Sequence, residues 1–325
     1  MSKREQATEM SKAAAANEYH SKDFEWEELR LEVENHPSLS YHLSPFQPSL
    51  SPSSQDPQAW SHFHSRHSTG KFFKERRYLL KEFPELLSCE DYSKVLEVGC
   101  GNGSTILPIL RVKERTSVYA CDCSVEALER AKQNLEGSGI IHVMERFHPF
   151  CCDFSTTPFP NWLACDSCRN KQLEKLVHCD SEINDNERTL TDLASAQNSR
   201  CCLGGVDFVT LIFALSAIPP ERMATAIMEC FSVLKPGGLL FFRDYGLYDM
   251  TMLRFEPDKR VGFRHYMRSD GTLSYFFDLD GVRNLFVGVG FNELELEYCC
   301  VKSVNRQKGK SMRRVWVHGK FQKPL

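Results

Sequence analysis

From residue 95 onward, short apolar runs alternate with amphipathic segments, and this rhythm restricts the possible folds more than any other feature of the chain. Val95-Leu96-Glu97-Val98, Ser117 to Cys121, Val206 to Phe213 and Leu239 to Phe242 suit strands buried on both faces of a parallel sheet. Residues 103–110, 124–136 and 221–234 have helical spacing, and Lys235-Pro236-Gly237-Gly238 is a stop signal after the last of them. The alternation predicts a doubly wound, Rossmann-like α/β sheet, mostly parallel, with helices on both faces. Leu294 to Val301 and Arg314 to Lys320 read as a C-terminal antiparallel hairpin at its end. Ligands of such sheets bind outside the carboxyl ends of the strands, so the segments after each apolar run are where function is sought.

The flanks are less regular. Residues 1–58 read as a polar, partly helical arm and a Ser/Pro linker too poor in apolar residues to build a core. Residues 59–325 read as one domain, with an N-terminal cap at 59–90 and a polar surface insertion at 165–205. With 40 basic and 43 acidic residues the net charge is −3, so bulk attraction to nucleic acid is excluded and any such site is local. No run approaches the eighteen apolar residues of a membrane helix, and the acids among residues 1–35 argue against a secretory or organellar leader. Fourteen cysteines in such a chain suggest reduced thiols or metal ligands and a cytoplasmic location, with the nucleus also open. Cys165-x-x-Cys168 is half of a zinc signature, and His178, Cys179, Cys201 and Cys202 are candidates for the other half. The spacing is irregular, so free thiols are favoured and no metal is assigned.

The most informative segment joins the first strand to the first helix: Glu97-Val98-Gly99-Cys100-Gly101-Asn102-Gly103. Glycines let the backbone turn tightly and approach a ligand there. A dinucleotide fingerprint needs a further glycine where this chain has Ser104, which disfavours a pyrophosphate. Glu97 precedes the loop, Asp122 ends the next strand and Asp153 follows Phe150-Cys151-Cys152. Three carboxylates around a glycine loop suit a cation, and S-adenosylmethionine (SAM) is such a ligand. Asp122 is placed to accept from both ribose hydroxyls, the alternative being a helix cap. Asp153 with Phe154 suits the adenine amine and ring, the alternative being the start of a turn before Pro158.

Together with Cys121-Asp122, Cys152-Asp153-Phe154 and Leu234 to Gly238, the loop resembles those of the class I SAM-dependent methyltransferases. Trp60-x-x-Phe63, Phe72 to Arg76, Leu211 to Ala217, Phe242 to Asp249 and Arg268 to Phe277 resemble, more narrowly, the methyltransferase-like family that forms 3-methylcytidine in tRNA. The resemblance runs from Trp60 to the C-terminus, apart from the insertion. It implies a cytidine at position 32 of the anticodon loop as substrate. It also implies that Trp60, Gly99, Gly101, Asp122, Asp153, Phe154 and Ile212 surround the cofactor, to which Glu97 and Gly103 of the loop are added. His64 is included as well, although animal members tend to carry Tyr there. The implied partners are tRNA and, where an accessory protein is needed, an aminoacyl-tRNA synthetase or similar; the chain is expected to be a monomer away from membranes.

Methylating N3 of cytidine needs little acid–base help, because that nitrogen already offers an in-plane lone pair. Positioning should dominate, with a carboxylate offsetting the charge of the cationic product. Asp244 and Arg243, at the end of the strand before the crevice, are the catalytic candidates, the alternative being a structural pair that caps the strand. From Tyr298 to Leu325 there are eight Lys and Arg and no acid. Lys71, Lys74, Arg76, Arg264, Arg268, Arg306, Lys308, Arg313 and Arg314 are candidates for a phosphate-tracking surface, the alternative being a solvated face. Two other functions remain open on the sequence: a SAM enzyme acting on a small molecule or protein, and a non-catalytic RNA-binding adaptor.

Overall fold

The apolar runs form a seven-stranded sheet whose five parallel strands carry their loops to one edge. A computed structural model of the chain describes residues 22–46, 56–66, 74–169, 201–305 and 310–325. The strands are β1 (Lys94–Val98), β2 (Ser117–Asp122), β3 (Phe147–Cys151), β4 (Val206–Ile212), β5 (Leu234–Tyr245), β9 (Asn292–Asn305) and β10 (Lys310–Gln322), in the order β3-β2-β1-β4-β5-β10-β9. Strands β1 to β5 run parallel, and the β9–β10 hairpin joins antiparallel through β10 against β5. A second sheet of β6 (Arg260–Gly262), β7 (His265–Met267) and β8 (Leu273–Tyr275) fills the segment after β5.

Successive residues of β5 show why both faces of the sheet are covered. Phe241 packs with Ile106, Ile109, Leu128, Leu135 and Phe83, which come from α5 (Ile106–Val112), α6 (Val125–Glu136) and the chain just after α3 (Leu79–Glu82). Its neighbour Phe242 packs on the other face with Met223, Ile227 and Phe231 of α7 (Pro220–Val233) and Phe286 of α8 (Leu279–Val289). The period of two along the strand meets the period of 3.6 along the helices. Ser124 starts α6 by accepting the Ala127 N–H at 3.2 Å, so it is Ser124 and not Asp122 that caps this helix.

The N-terminal arm is partly helical, as expected, but the described part of it packs on the domain. Residues 22–46 are docked on the fold, with α1 (Trp26–Glu34) and a 3-10 turn at Pro37–His42. Leu29 and Val33 of α1 are buried against Tyr248, Met252, Tyr266, Phe276 and Val315. Trp26 stacks on Tyr298 at 4.7 Å and donates to the Leu247 carbonyl at 3.2 Å. Four glutamates disguise the docking face of this helix in the sequence, because two buried positions one turn apart give little periodic signal. Between β3 and β4 only the two ends of the insertion, 165–169 and 201–205, are described.

Candidate active site

A cleft of about 690 Å³ opens where the strand order reverses between β1 and β4, at the carboxyl ends of the parallel strands. The glycine loop forms its floor. Gly99, Gly101 and Gly103 all have positive φ, at +66°, +52° and +83°. Gly99 is doubly constrained, since a Cβ there would lie 2.7 Å from Cβ of Ala214. Gly103 faces away from the cleft, where a Cβ would meet Leu135 and Ala131 of α6 at 3.2 and 3.3 Å. It therefore sets how closely that helix packs and is not among the lining residues.

Asp122, at the end of β2, organises the loop. One carboxylate oxygen accepts the Gly101 N–H at 2.8 Å and the other accepts the Ser124 N–H at 3.0 Å. Burial raises its pKa, opposed by the Ser124 N–H, the charge of His64 and the Gly101 N–H. Asp153 lines the cleft as well, while one of its oxygens accepts from the Ser155 N–H at 3.1 Å and hydroxyl at 2.7 Å. The turn reading is thus realised at Asp153 without removing it from the cleft. Phe154 and Ile212 complete this wall. Above the loop lies α2 (Asp56–Arg66), which brings Trp60, Phe63 and His64 to the cleft. His64 Cε1 would be 3.8 Å from a Cβ at Gly101, so the imidazole covers the loop directly.

Besides Gly103, three of the predicted cofactor and catalytic residues, Glu97, Asp244 and Arg243, stand outside the cleft wall. Glu97 is 1% exposed and turned beneath the loop, where it accepts the Thr210 hydroxyl of β4 at 2.7 Å. Burial pushes its carboxyl up to about 7, against the hydrogen bonds from Thr210 and Thr105 and the charge of Arg76. Asp244 is fully buried one layer behind the wall. It accepts the Ser216 N–H at 2.9 Å and the Tyr245 N–H at 2.8 Å, and so fixes the 3-10 turn Leu215–Ala217 that lines the cleft. Burial raises its carboxyl to about 6, against those hydrogen bonds and the charge of Arg268.

Arg243 points to the opposite face of the sheet. There it pairs with Glu82 and lies over the rings of Tyr78 and Trp316, at 5.0 and 4.5 Å from their centroids. Alternation along β5 separates it from Asp244, so the two do not form the capping pair considered from the sequence. Its environment is an ionic network that runs from the buried core to the surface: Glu82 also binds His318 at 3.1 Å, His318 binds the half-exposed Glu295 at 3.0 Å, and Lys320 bridges Glu295 and Glu85 at 2.8 and 2.7 Å.

The basic candidates divide in two. Arg76 and Arg268 line the cleft, and Lys74 is exposed close to Arg76 in the chain. The others that are described hold the protein's own acids. Arg264 pairs with Asp278 at 2.6 Å, Arg313 grips Glu32 of α1 with two bonds of 2.7 and 2.6 Å, and Arg314 binds the buried Asp249 at 2.8 Å. Lys71, Arg306 and Lys308 lie outside the described residues.

Sequence reasoning gave no role to Phe213 or Tyr245, which line the cleft with ring centroids 5.1 Å apart. Phe213 has φ +54°, a conformation uncommon for a bulky residue, and Arg76 sits 5.4 Å from its ring centroid. Its place in the Leu211 to Ala217 motif was the available signal; its backbone conformation leaves none in a sequence.

A family model described as a methyltransferase domain matches residues 72–296. The human tRNA N(3)-cytidine methyltransferase METTL6 is 35% identical over 269 residues, covering 82% of this chain and 79% of the relative. The Drosophila melanogaster tRNA N(3)-methylcytidine methyltransferase Mettl2 is 34% identical over 277 residues, 83% of this chain and 72% of the relative. Among solved structures, a SAM-dependent methyltransferase from Anabaena variabilis aligns with a TM-score of 0.52 at 11% identity, over 86% of this chain and 100% of that one. At that identity the likeness concerns the fold alone. The two relatives extend well beyond the glycine loop into the segments that shape the cleft, and the chain belongs to the family of SAM-dependent methyltransferases that includes the tRNA N(3)-cytidine methyltransferases.

Proposed function

We propose that this chain transfers the methyl group of SAM to N3 of a cytidine in tRNA, with position 32 of the anticodon loop as its target. The observation that carries the reading is a glycine-and-acid cleft at the sheet's switch point, in a chain 35% identical to a tRNA N(3)-cytidine methyltransferase over most of its length.

The cleft's residues fit SAM. Each Asp122 oxygen takes one backbone N–H, and a carboxylate oxygen has a second lone pair to offer, so two ribose hydroxyls can be accommodated. Gly99 and Gly101 leave the floor free of side chains, Asp153 and Phe154 present an acceptor and a ring for adenine, and Trp60 and His64 close the top. SAM supplies a methyl group activated by its sulfonium. The protein's own task is to hold a base extruded from its stack with N3 in line with that methyl group. Phe213 and Tyr245 are the aromatic surfaces available to the base. Asp244 acts through the Ser216 turn as a positioning residue, and Arg243 belongs to the ionic network beneath the sheet. Lys74, Arg76 and Arg268 supply positive charge at the cleft for the tRNA phosphates. Arg313 and Arg314 are occupied in docking α1 and the turn after β5.

The test is methyl transfer from SAM to a panel of tRNA transcripts, followed by nucleoside mass spectrometry. The expected product is 3-methylcytidine at position 32. SAM binding with no methylcytidine in any tRNA would overturn the reading. The panel is run with and without an aminoacyl-tRNA synthetase, because the chain is read as a monomer that acts on tRNA in the cytoplasm or nucleus, and a synthetase-dependent rate would identify an accessory partner.

A further inference from the structure

The cysteines at the two ends of the insertion come together. Cys165 precedes a helical turn at 166–169 that contains Cys168, and Cys201 and Cys202 precede β4. All four sulfurs lie within 4.8 Å of one another. The Sγ separations are 3.4 Å for Cys165–Cys201, 3.6 Å for Cys168–Cys201, 3.5 Å for Cys168–Cys202 and 3.9 Å for Cys201–Cys202. Four thiolates around a tetrahedral zinc at the usual Zn–S length of about 2.3 Å stand about 3.8 Å apart. The sulfurs are thus spaced as ligands of one ion, and the cysteines are free, with no disulfide among the described residues.

The surrounding backbone is built to hold them there. The Gly204 N–H points at Cys202 Sγ at 3.3 Å, a bond that favours a thiolate. Gly204 and Gly205 turn the chain with φ of +72° and +87°, and a Cβ at Gly205 would meet the Val233 carbonyl at 2.7 Å. Leu203 and Gly205 donate to the Trp162 and Leu163 carbonyls at 2.8 and 3.1 Å, so the two cysteine pairs are joined by backbone as well. Arg169 secures the first pair from the other side, donating to the carbonyls of Phe159 and Ala164 at 2.7 and 2.8 Å and pairing with Glu229 of α7 at 3.1 Å.

We propose that Cys165, Cys168, Cys201 and Cys202 form a structural zinc site that fastens the base of the insertion. This departs from the free thiols expected from the sequence. The second pair was hard to see because Cys201 and Cys202 are adjacent and stand 33 residues beyond Cys168, outside any familiar spacing. Soft thiolate ligands select zinc over hard cations. With four protein ligands the site is closed and has no position for water or substrate, so its role is structural. Binding converts each thiol to a thiolate, and the protons are released to solvent. The ion would hold the β3–β4 connection, which also carries Asp153 and Phe154 to the cleft.

The test measures metal in the full-length chain, expressed with added zinc and purified under reducing conditions without chelator. One zinc per chain by mass spectrometry of the elements is expected, with replacement by cobalt giving the ligand-field spectrum of a tetrahedral thiolate site. C168S and C201S should each lower the zinc content several-fold. Should those variants fail to fold, the wild-type stoichiometry and the cobalt spectrum still decide. A wild-type chain that takes up no zinc from micromolar solution, one that holds iron in its place, or zinc retained in the C168S/C201S double variant would overturn the proposal.

Discussion

Asp122 accepts from two backbone N–H groups that belong to different elements, the glycine loop and the start of α6. Its removal therefore frees both N–H groups as well as taking away the proposed ribose acceptor. Asp122→Ala should weaken SAM binding by about 1.5–3 kcal/mol for each ribose hydrogen bond lost, or roughly 10- to 100-fold in Kd. Calorimetric titration of a folded variant checks this, and unchanged affinity would refute the role of Asp122. Asp244 requires a different test, because its neighbours are both donors. Asparagine has only one acceptor oxygen, so Asp244→Asn turns an NH₂ toward the N–H of Ser216 or of Tyr245. A loss of about 1–3 kcal/mol of stability follows from the unsatisfied buried donors. Methylation should fall with it as the Ser216 turn shifts. A variant with wild-type melting behaviour and reduced turnover would instead place the carboxylate's charge in the chemistry.

At the scale of elements, the core sheet was legible because strands buried on two faces are nearly all apolar. Strands β1, β2 and β4, helices α6 and α7, and the terminal hairpin fall within a few residues of expectation. Among the lining residues, Gly99, Gly101 and Asp122 follow or end strands that the alternation predicts, Asp153 and Phe154 follow a short apolar run, and Ile212 was supplied by the family resemblance alone. What a sequence conceals is which partner a charged residue takes. Arg313 and Arg314 look like a basic surface along β10 until α1 and Asp249 are seen against them. The docking of the N-terminal arm is hidden in the sequence for a related reason, since its two apolar anchors gain meaning only from the surface that receives them. Leu29→Ala tests the docking directly. Truncating this 1%-exposed side chain should cost about 2–4 kcal/mol in urea denaturation, whereas a loose arm would show no change.

Across the whole molecule, the ionisable groups in and beside the sheet make stability a function of pH with opposing slopes. The hydrogen bond from His318 lowers Glu295 to about 2, with Lys320 adding to it against the effect of burial. Its contribution is present above its unfolded value and is lost as the pH falls from 4.5 toward 2. Burial pulls His318 down, but Glu295 and Glu82 outweigh it and raise the imidazole, whose contribution is complete below 6.5 and is lost as the pH rises through its folded value. Glu97 and Asp244 act on the alkaline side too, because carboxyls raised to about 7 and about 6 keep protons in the folded chain that the unfolded chain has already released. Stability should accordingly be greatest near pH 5 and decline toward pH 8. Glu97 isolates one cause of that decline, since a rise from 4.5 to about 7 corresponds to on the order of 3 kcal/mol lost across the window. Glutamine fits the same space: its oxygen can accept from Thr210, and the hydroxyl of Thr105 can accept from its NH₂. Glu97→Gln should therefore stay close to the wild type at pH 5, exceed it in stability by much more at pH 8 and flatten the profile between. Urea denaturation at the two pH values measures the difference, and a variant with the wild-type slope would show that Glu97 is already ionised in the folded chain at pH 5.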